Sequence, residues 1–294
     1  MAPPLLSARD LRIDEHGVAS VDGLTLATHA KRVVLVGAGR ALFEAACGVL
    51  KPARGSLEVQ GMPAAEALAM GNVAGAPRDP PLPADWTPLA YATWSARLTG
   101  LGSAEAGARA AGALEKVGVR SEGRALLRGA TLALRRATVL AAALATGARV
   151  ILLEDPSPSL DDEAAAIMLA AFVRALEGQA WALFAPRAPL TSPLIAAAEE
   201  ALVFAGSSVV EQGAPSALAA KARRYAVDAQ GDGQALAAKV AARGFVVEPV
   251  FTAPGCARFV VELPPGGSTR DLFACAEEAG AIVVELRPIA RAFA

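Results

Sequence analysis

Residues 7–28, SARDLRIDEHGVASVDGLTLAT, alternate polar and apolar side chains around a His16-Gly17 pair, which predicts two antiparallel strands joined by a turn. Lys31 and Arg32 then introduce the unbroken apolar run Val33–Val36, the pattern of a central strand buried on both faces. RALFEAACGVL (40–50) has helical spacing, and KPARGSLEVQG (51–61) predicts a strand between two Pro/Gly-punctuated turns. The Pro-rich loop APRDPPLPADWT (76–87) leads into a helix-rich stretch through LAYATWSARLTGL and AGALEKVGV. TLALRRATVLAAALATGA (131–148) predicts a further helix, RVILLE (149–154) a strand, and DPSPSLDDE (155–163) a loop. AAAIMLAAFVRALEG predicts a helix, QAWALFA a strand, and SPLIAAAEEALVFAGSSVVEQG a helix and two more strands. Strands alternating with helices predict an α/β fold with a mostly parallel sheet.

The pattern changes near Ala219–Arg224. Beyond it, YAVDA, GQALAAKVAARG, VVEPVFTAPGCARFVVELP, STRDLFACAEEAG and AIVVELRP give the order β-α-β-β-α-β, the ferredoxin-like arrangement. The expected division is therefore 1–220, with a helical subdomain at about 86–147, and a C-terminal α/β unit at 221–294.

Composition narrows the classes. The chain has 294 residues, 54% hydrophobic and 19% charged, enough apolar content for a packed core. Lys+Arg number 28 against Asp+Glu 29, so the net charge of −1 offers nothing to nucleic acid. Mean hydropathy is +0.39, yet the longest charge-free stretch, Ala137–Ala148, is too short to span a bilayer and predicts a buried helix. MAPPLLSARDLRIDE lacks the basic-then-apolar order of a secretory signal. Cys47, Cys256 and Cys275 are too scattered for a disulfide framework or metal site and are expected to be small buried hydrophobes in a reducing compartment. His16 and His29 cannot build a metal site alone.

The candidate chemistry begins at VVLVGAGRALFEAACG (33–48), a β-branched run ending in a glycine pair. Gly37 and Gly39 satisfy the first two glycines of G-x-G-x-x-G, with Leu42 in third place and Glu58 at about the distance of a ribose-binding acid. That leaves a Rossmann-like dinucleotide oxidoreductase as one reading. Against it, Glu58 sits inside an alternating strand, and two strands precede the loop.

ARVILLEDPSPSLDDEAA (148–165) resembles the Walker B and D-loop region of ATP-binding cassette (ABC) ATPases, with Glu154-Asp155-Pro156 followed by Leu160-Asp161. GVLKPARGSLEVQG is similar to the family's helix end, turn and strand after the P-loop. PLPADWTPLAYATWSARLTGL resembles the segment after the Q-loop in exporter ATPases, and EEALVFAGSSVVEQGAPSALA the strand pair after the H-loop. The C-terminal unit resembles the extra domain of ATPases that serve two-component exporters. The resemblance implies an ABC-type P-loop NTPase-like core, with a mostly parallel sheet, antiparallel strands and a helical subdomain, plus the ferredoxin-like domain.

The resemblance also marks what is missing. A P-loop needs a Lys on the β/γ oxygens and a Ser/Thr on Mg²⁺. Counted from Gly37, those places fall to Phe43 and Glu44, and counted back from Gly48 to Gly39 and Arg40. The interval from Gly37 to Gly48 is about four residues shorter than in the family. Arg40 could meet a phosphate, but Glu44 would oppose a polyanion. Ala130–Ala133 fall at the signature, with Leu132 and Ala133 in place of its glycines. Arg78 falls at the Q-loop position, Pro186 or Arg187 at the H-loop histidine, and His16 at the adenine-stacking aromatic.

In Walker B the metal-holding and general-base positions are Glu154 and Asp155, each displaced by one methylene. With Asp161 and Asp162 they could form a residual Mg²⁺ site; the plainer expectation is a solvated loop with helix capping. Trp86, Tyr91 and Trp94 suit either a partner-binding patch or packing of the helical subdomain, and Arg135 and Arg136 are expected to face solvent.

The function so implied is a catalytically degenerate subunit, a pseudo-ATPase acting as a structural or regulatory part of a membrane exporter. An active but atypical ABC ATPase is the alternative. Its partners would be a transmembrane permease and a second competent ATPase or a second copy of itself. No metal is expected; ATP and Mg²⁺ enter only if the altered loop still binds. The place is cytoplasmic, peripheral on the inner face of the membrane.

Overall fold

The computed structural model describes residues 3–187, 192–221, 223–253, 255–264 and 266–289. The first hairpin forms as predicted, β1 (Leu6–Glu15) against β2 (Val18–Ala27), with the His16-Gly17 turn in left-handed backbone at both residues. β4 (Arg54–Val59) pairs with the far side of β1, and the short β5 (Met62–Pro63) follows, giving an antiparallel sheet in the order β2-β1-β4-β5.

The second sheet is mostly parallel. Its central strand β3 (Arg32–Val36) lies between β8 (Ala180–Ala185) and β9 (Glu200–Ala205). β7 (Val150–Glu154) and β6 (Val73–Ala76) extend the sheet on one side, and the antiparallel β10 (Ser208–Gly213) closes the other. Val33–Val36 and Val150–Leu153 are at most 1% exposed, as strands covered on both faces must be.

Helix α1 (Arg40–Ala46) fills the space between the sheets and is buried at five of its seven positions. There it joins Leu11, Ile13 and Leu24 of the antiparallel sheet to Leu35, Leu152 and Phe184 of the parallel one. The short α2 (Ala64–Ala69) leads into β6.

Helices α3 (Pro88–Arg97), α4 (Ser103–Lys116) and α5 (Leu132–Ala145) pack on one another as a helical lobe. α5 begins on a Thr131 cap whose hydroxyl accepts from the Leu134 N–H, and it also contacts β6 and β7. Ala137–Ala148 includes most of this helix, and Ala137, Leu140 and Ala141 are buried in it. Helix α6 (Asp162–Ala175) follows β7, and α7 (Pro193–Ala196) precedes β9.

Contacts divide the chain into two compact units, Met1–Ala188 with Pro193–Ala214, and Pro215–Ala294 with Pro189–Ser192. Helix α8 (Pro215–Lys221) groups with the second unit, so this division falls a few residues before the composition change. The rest of that unit runs β11 (Arg224–Gln230), α9 (Gly233–Ala242), β12 (Val246–Ala253), β13 (Cys256–Glu262), α10 (Thr269–Ala279) and β14 (Ile282–Ile289). Its sheet is antiparallel, in the order β12-β13-β11-β14, over a core of Val227, Leu236, Phe259 and Leu272.

Cys47 and Cys275 are buried, but Cys256 is exposed, against expectation. Ala257 points into the core of this sheet, and strand alternation turns its neighbour Cys256 outward.

Candidate functional site

The loop from β3 to α1 is positioned by Gly37. Its φ is +93°, and a Cβ there would come within 2.8 Å of the Phe204 carbonyl oxygen. Its N–H donates to the Ala185 carbonyl at 2.8 Å. Gly39 caps α1 through backbone geometry alone, and no atom lies within 4 Å of where its Cβ would be. With Glu15, Ser20 and Arg40 these glycines line a cleft of about 300 Å³.

Helix α1 packs most of its side chains into the core. Leu42 and Phe43 are each 3% exposed, and the Phe43 ring meets Phe184 edge-to-face at 5.6 Å. Arg40 turns along its own helix, donating from Nε to Glu44 Oε1 at 2.6 Å, and this hydrogen bond raises the arginine above its ordinary value. Cys47, at the helix end, is pushed up to about 12, mainly by burial, and is held as an inert thiol.

At the end of β7, Glu154 accepts from the Arg78 N–H at 3.0 Å, and the Arg78 guanidinium lies 3.8 Å away. Asp155 Oδ1 accepts from the Ser157 N–H (2.9 Å) and hydroxyl (2.7 Å), while Asp155 Oδ2 is buried without a partner. Asp161 caps α6, accepting from the Ala164 N–H at 2.8 Å. Among the described residues no group of three His, Cys, Asp or Glu side chains is placed to hold a metal ion.

Arg136 corrects the expectation of a solvent-facing pair. It is 3% exposed, and its Nη1 donates to the carbonyls of Pro156 (2.7 Å) and Pro158 (2.6 Å). Arg135 beside it is half-buried. Adjacent charges on a helix point in directions about 100° apart, so the sequence pair alone does not say which one turns inward.

The remaining candidates are dispersed. His16 is exposed at the hairpin turn with φ of 51°, and the cleft is lined by its neighbour Glu15 instead. Glu58 lies on β4 in the antiparallel sheet, where it accepts from the Ser7 hydroxyl at 3.3 Å, away from the strand ends that flank the glycine loop. Pro186 and Arg187 follow β8; Ala188 and Pro189 lie outside the described residues. Trp94 is 45% exposed and stacks edge-to-face on Trp86 at 5.9 Å, so this cluster both packs and presents a surface.

Burial raises the Asp155 carboxyl above its ordinary 3.8, and the Ser157 hydrogen bonds, Arg78 and Arg136 only partly oppose it. A carboxyl raised in the fold favours folding while protonated, and that contribution is lost as pH rises through the folded value. Asp155→Asn is therefore expected to gain stability relative to the parent as pH is raised from 3.8 towards neutrality. Urea midpoints across that window check it, and a difference independent of pH would refute it.

No protein-family model matches the sequence, and no curated protein does. Solved structures do match the fold. The cbiO1 protein of Clostridium perfringens, part of the ABC transporter complex cbiONQ, aligns over 74% of this chain and 92% of its own, with 17% identity and a TM-score of 0.63. An ATP-binding subunit of an ABC transporter covers the same shares at 17% identity and a TM-score of 0.60. A bacterial Atm1-family ABC exporter with ATP bound aligns over 75% of this chain and 41% of its own, with 16% identity and a TM-score of 0.59. The chain thus has the fold of ABC transporter ATP-binding subunits. Among the described residues no helix is long and apolar enough to cross a membrane.

Proposed function

We propose that this chain keeps the architecture of an ABC ATP-binding subunit without its chemistry, and serves as a structural or regulatory component of a membrane exporter. The observation that carries this reading is the direction of α1. Counted from Gly37, the position a P-loop gives to its lysine is filled by Phe43, packed on Phe184; counted back from Gly48 it is Gly39, and the neighbouring Arg40 is engaged by Glu44. A triphosphate entering the 300 Å³ cleft would meet Glu15 and an Arg40 already paired with Glu44, with no lysine on its wall. On the metal side, Arg78 already lies against Glu154, and Asp161 is committed to capping α6. These residues do not suit Mg·ATP. An active ATPase would require Arg40 to leave Glu44 and take over the lysine's task.

What remains is surface. A groove of about 590 Å³ runs between the helical lobe and the α2–β6 segment, with Leu68, Met70 and Leu98 exposed along it. Trp94 is exposed on α3, which Leu98 caps at its C-terminus. This apolar rim suits a protein partner, for which a transmembrane permease is the candidate, placing the chain at the inner face of the membrane. A competent ATPase or a second copy would complete the assembly. The βαββαβ order and the strand order β12-β13-β11-β14 favour a ferredoxin-like accessory domain at the C-terminus.

The test is equilibrium binding of Mg·ATP followed by hydrolysis. No binding at about 1 mM nucleotide, and no turnover above background, are expected. Turnover that disappears in Asp155→Asn would overturn the proposal.

A further inference from the structure

We propose that Arg136 is a built-in strut that holds the helical lobe against the loop at 155–160 with no nucleotide present. Three segments converge on it. Helix α5 supplies the guanidinium, whose Nη1 donates to Pro156 O at 2.7 Å and Pro158 O at 2.6 Å. The loop after β7 supplies those carbonyls; two of its five residues, Asp155–Ser159, are prolines without an N–H, so it has few donors of its own. The segment after β6 supplies Asp79, whose Oδ1 lies 3.4 Å from Arg136 Nη2. Beside it, Arg78 donates its N–H to Glu154, so the same segment is also tied to the end of β7.

By the sequence resemblance these are the signature helix, the D-loop and the Q-loop. Here protein groups join them directly. A guanidinium is suited to this because its planar fork serves several oxygens at once, and burial at 3% exposure strengthens each contact. Once buried, it cannot leave its acceptors without stranding a charge. The lobe is consequently fixed in one orientation by the sequence itself, a device that makes the groove beside it permanent. This inference rests on the reading that no nucleotide occupies the site.

Amide hydrogen exchange on the full chain, with and without Mg·ATP, tests it. Arg136→Met is expected to speed exchange in residues 88–116 and 155–160 by roughly tenfold or more, the effect of losing charge-assisted hydrogen bonds. β3, β8 and β9 would be unchanged. Arg136→Lys would recover part of the protection, since one ammonium can still reach a carbonyl. Asp79→Asn alters a half-exposed partner and would give a weaker change of the same pattern, so it keeps the test available if Arg136→Met does not fold.

Unchanged exchange in the lobe would overturn the strut, as would equal acceleration in the lobe and the parallel sheet, the mark of general loss of stability. Protection of the wild-type lobe by Mg·ATP would instead overturn the reading of an empty site. The two failures are therefore separable.

Discussion

Replacing Phe43 by lysine, which restores a P-loop lysine in the count from Gly37, is expected to unfold the N-terminal unit instead of creating a phosphate site. Phe43 is 3% exposed, in the layer where α1 joins the two sheets, and its ring lies edge-to-face on Phe184. Removing a buried aromatic costs about 3–5 kcal/mol. An ammonium in its place adds a desolvation penalty, and the carboxylate opposite Phe184 on β7, Glu154, is already engaged by Arg78. The combined loss approaches the whole stability of a domain at the lower end of the usual range of about 5–15 kcal/mol. Phe43→Leu, which keeps the site apolar, should cost far less. Urea unfolding of both variants checks the pair, and a folded Phe43→Lys protein that binds Mg·ATP would show the direction of α1 to be misread.

Glu200→Ala is expected to produce a second large loss, on the order of 3 kcal/mol or more. This carboxylate is 6% exposed and closes the junction between β2 and β3 against β9. Its Oε2 accepts from the N–H of His29 (2.6 Å) and Ala30 (3.0 Å), and its Oε1 from the Gln212 side chain (2.7 Å). Alanine leaves two backbone donors without their acceptor and the Gln212 amide with the Ala27 carbonyl alone, which costs more than the bonds themselves contribute. Glu200→Gln retains one acceptor oxygen and should fall between the two. Equal stability of Glu200→Ala and the parent in urea would mean that water replaces the carboxylate at no cost.

The parallel sheet was legible because burial on both faces leaves a plain trace. Val33–Val36 and Val150–Leu153 have no polar member, and their shortness and β-branched residues favour a buried strand over a buried helix. The His16-Gly17 hairpin was legible for a related reason, since alternation and turn chemistry agree there. The fate of Arg136 was not. Its acceptors are carbonyls twenty residues further along the chain, brought in by tertiary packing, and composition carries no record of a carbonyl's direction. Cys256 shows the same limit on a smaller scale. A cysteine's preference for burial is weaker than the strand alternation that its neighbour Ala257 dictates. At the glycine loop, residue identities gave the absence of a lysine, while the packing of Phe43 on Phe184 emerged only with the second sheet in place.

The position of β3 has a consequence for how the protein is made. This strand occupies the middle of the parallel sheet, yet both of its partners, Ala180–Ala185 and Glu200–Ala205, are translated long after it. At ordinary rates of chain elongation the wait is on the order of ten seconds. Throughout it the Val33–Val36 segment has neither of its native hydrogen-bonding neighbours and must be shielded by the first hairpin and α1, or by a chaperone. The nascent chain is thus most vulnerable to aggregation before β8 and β9 have left the ribosome, and the closing of the sheet is a late event of synthesis.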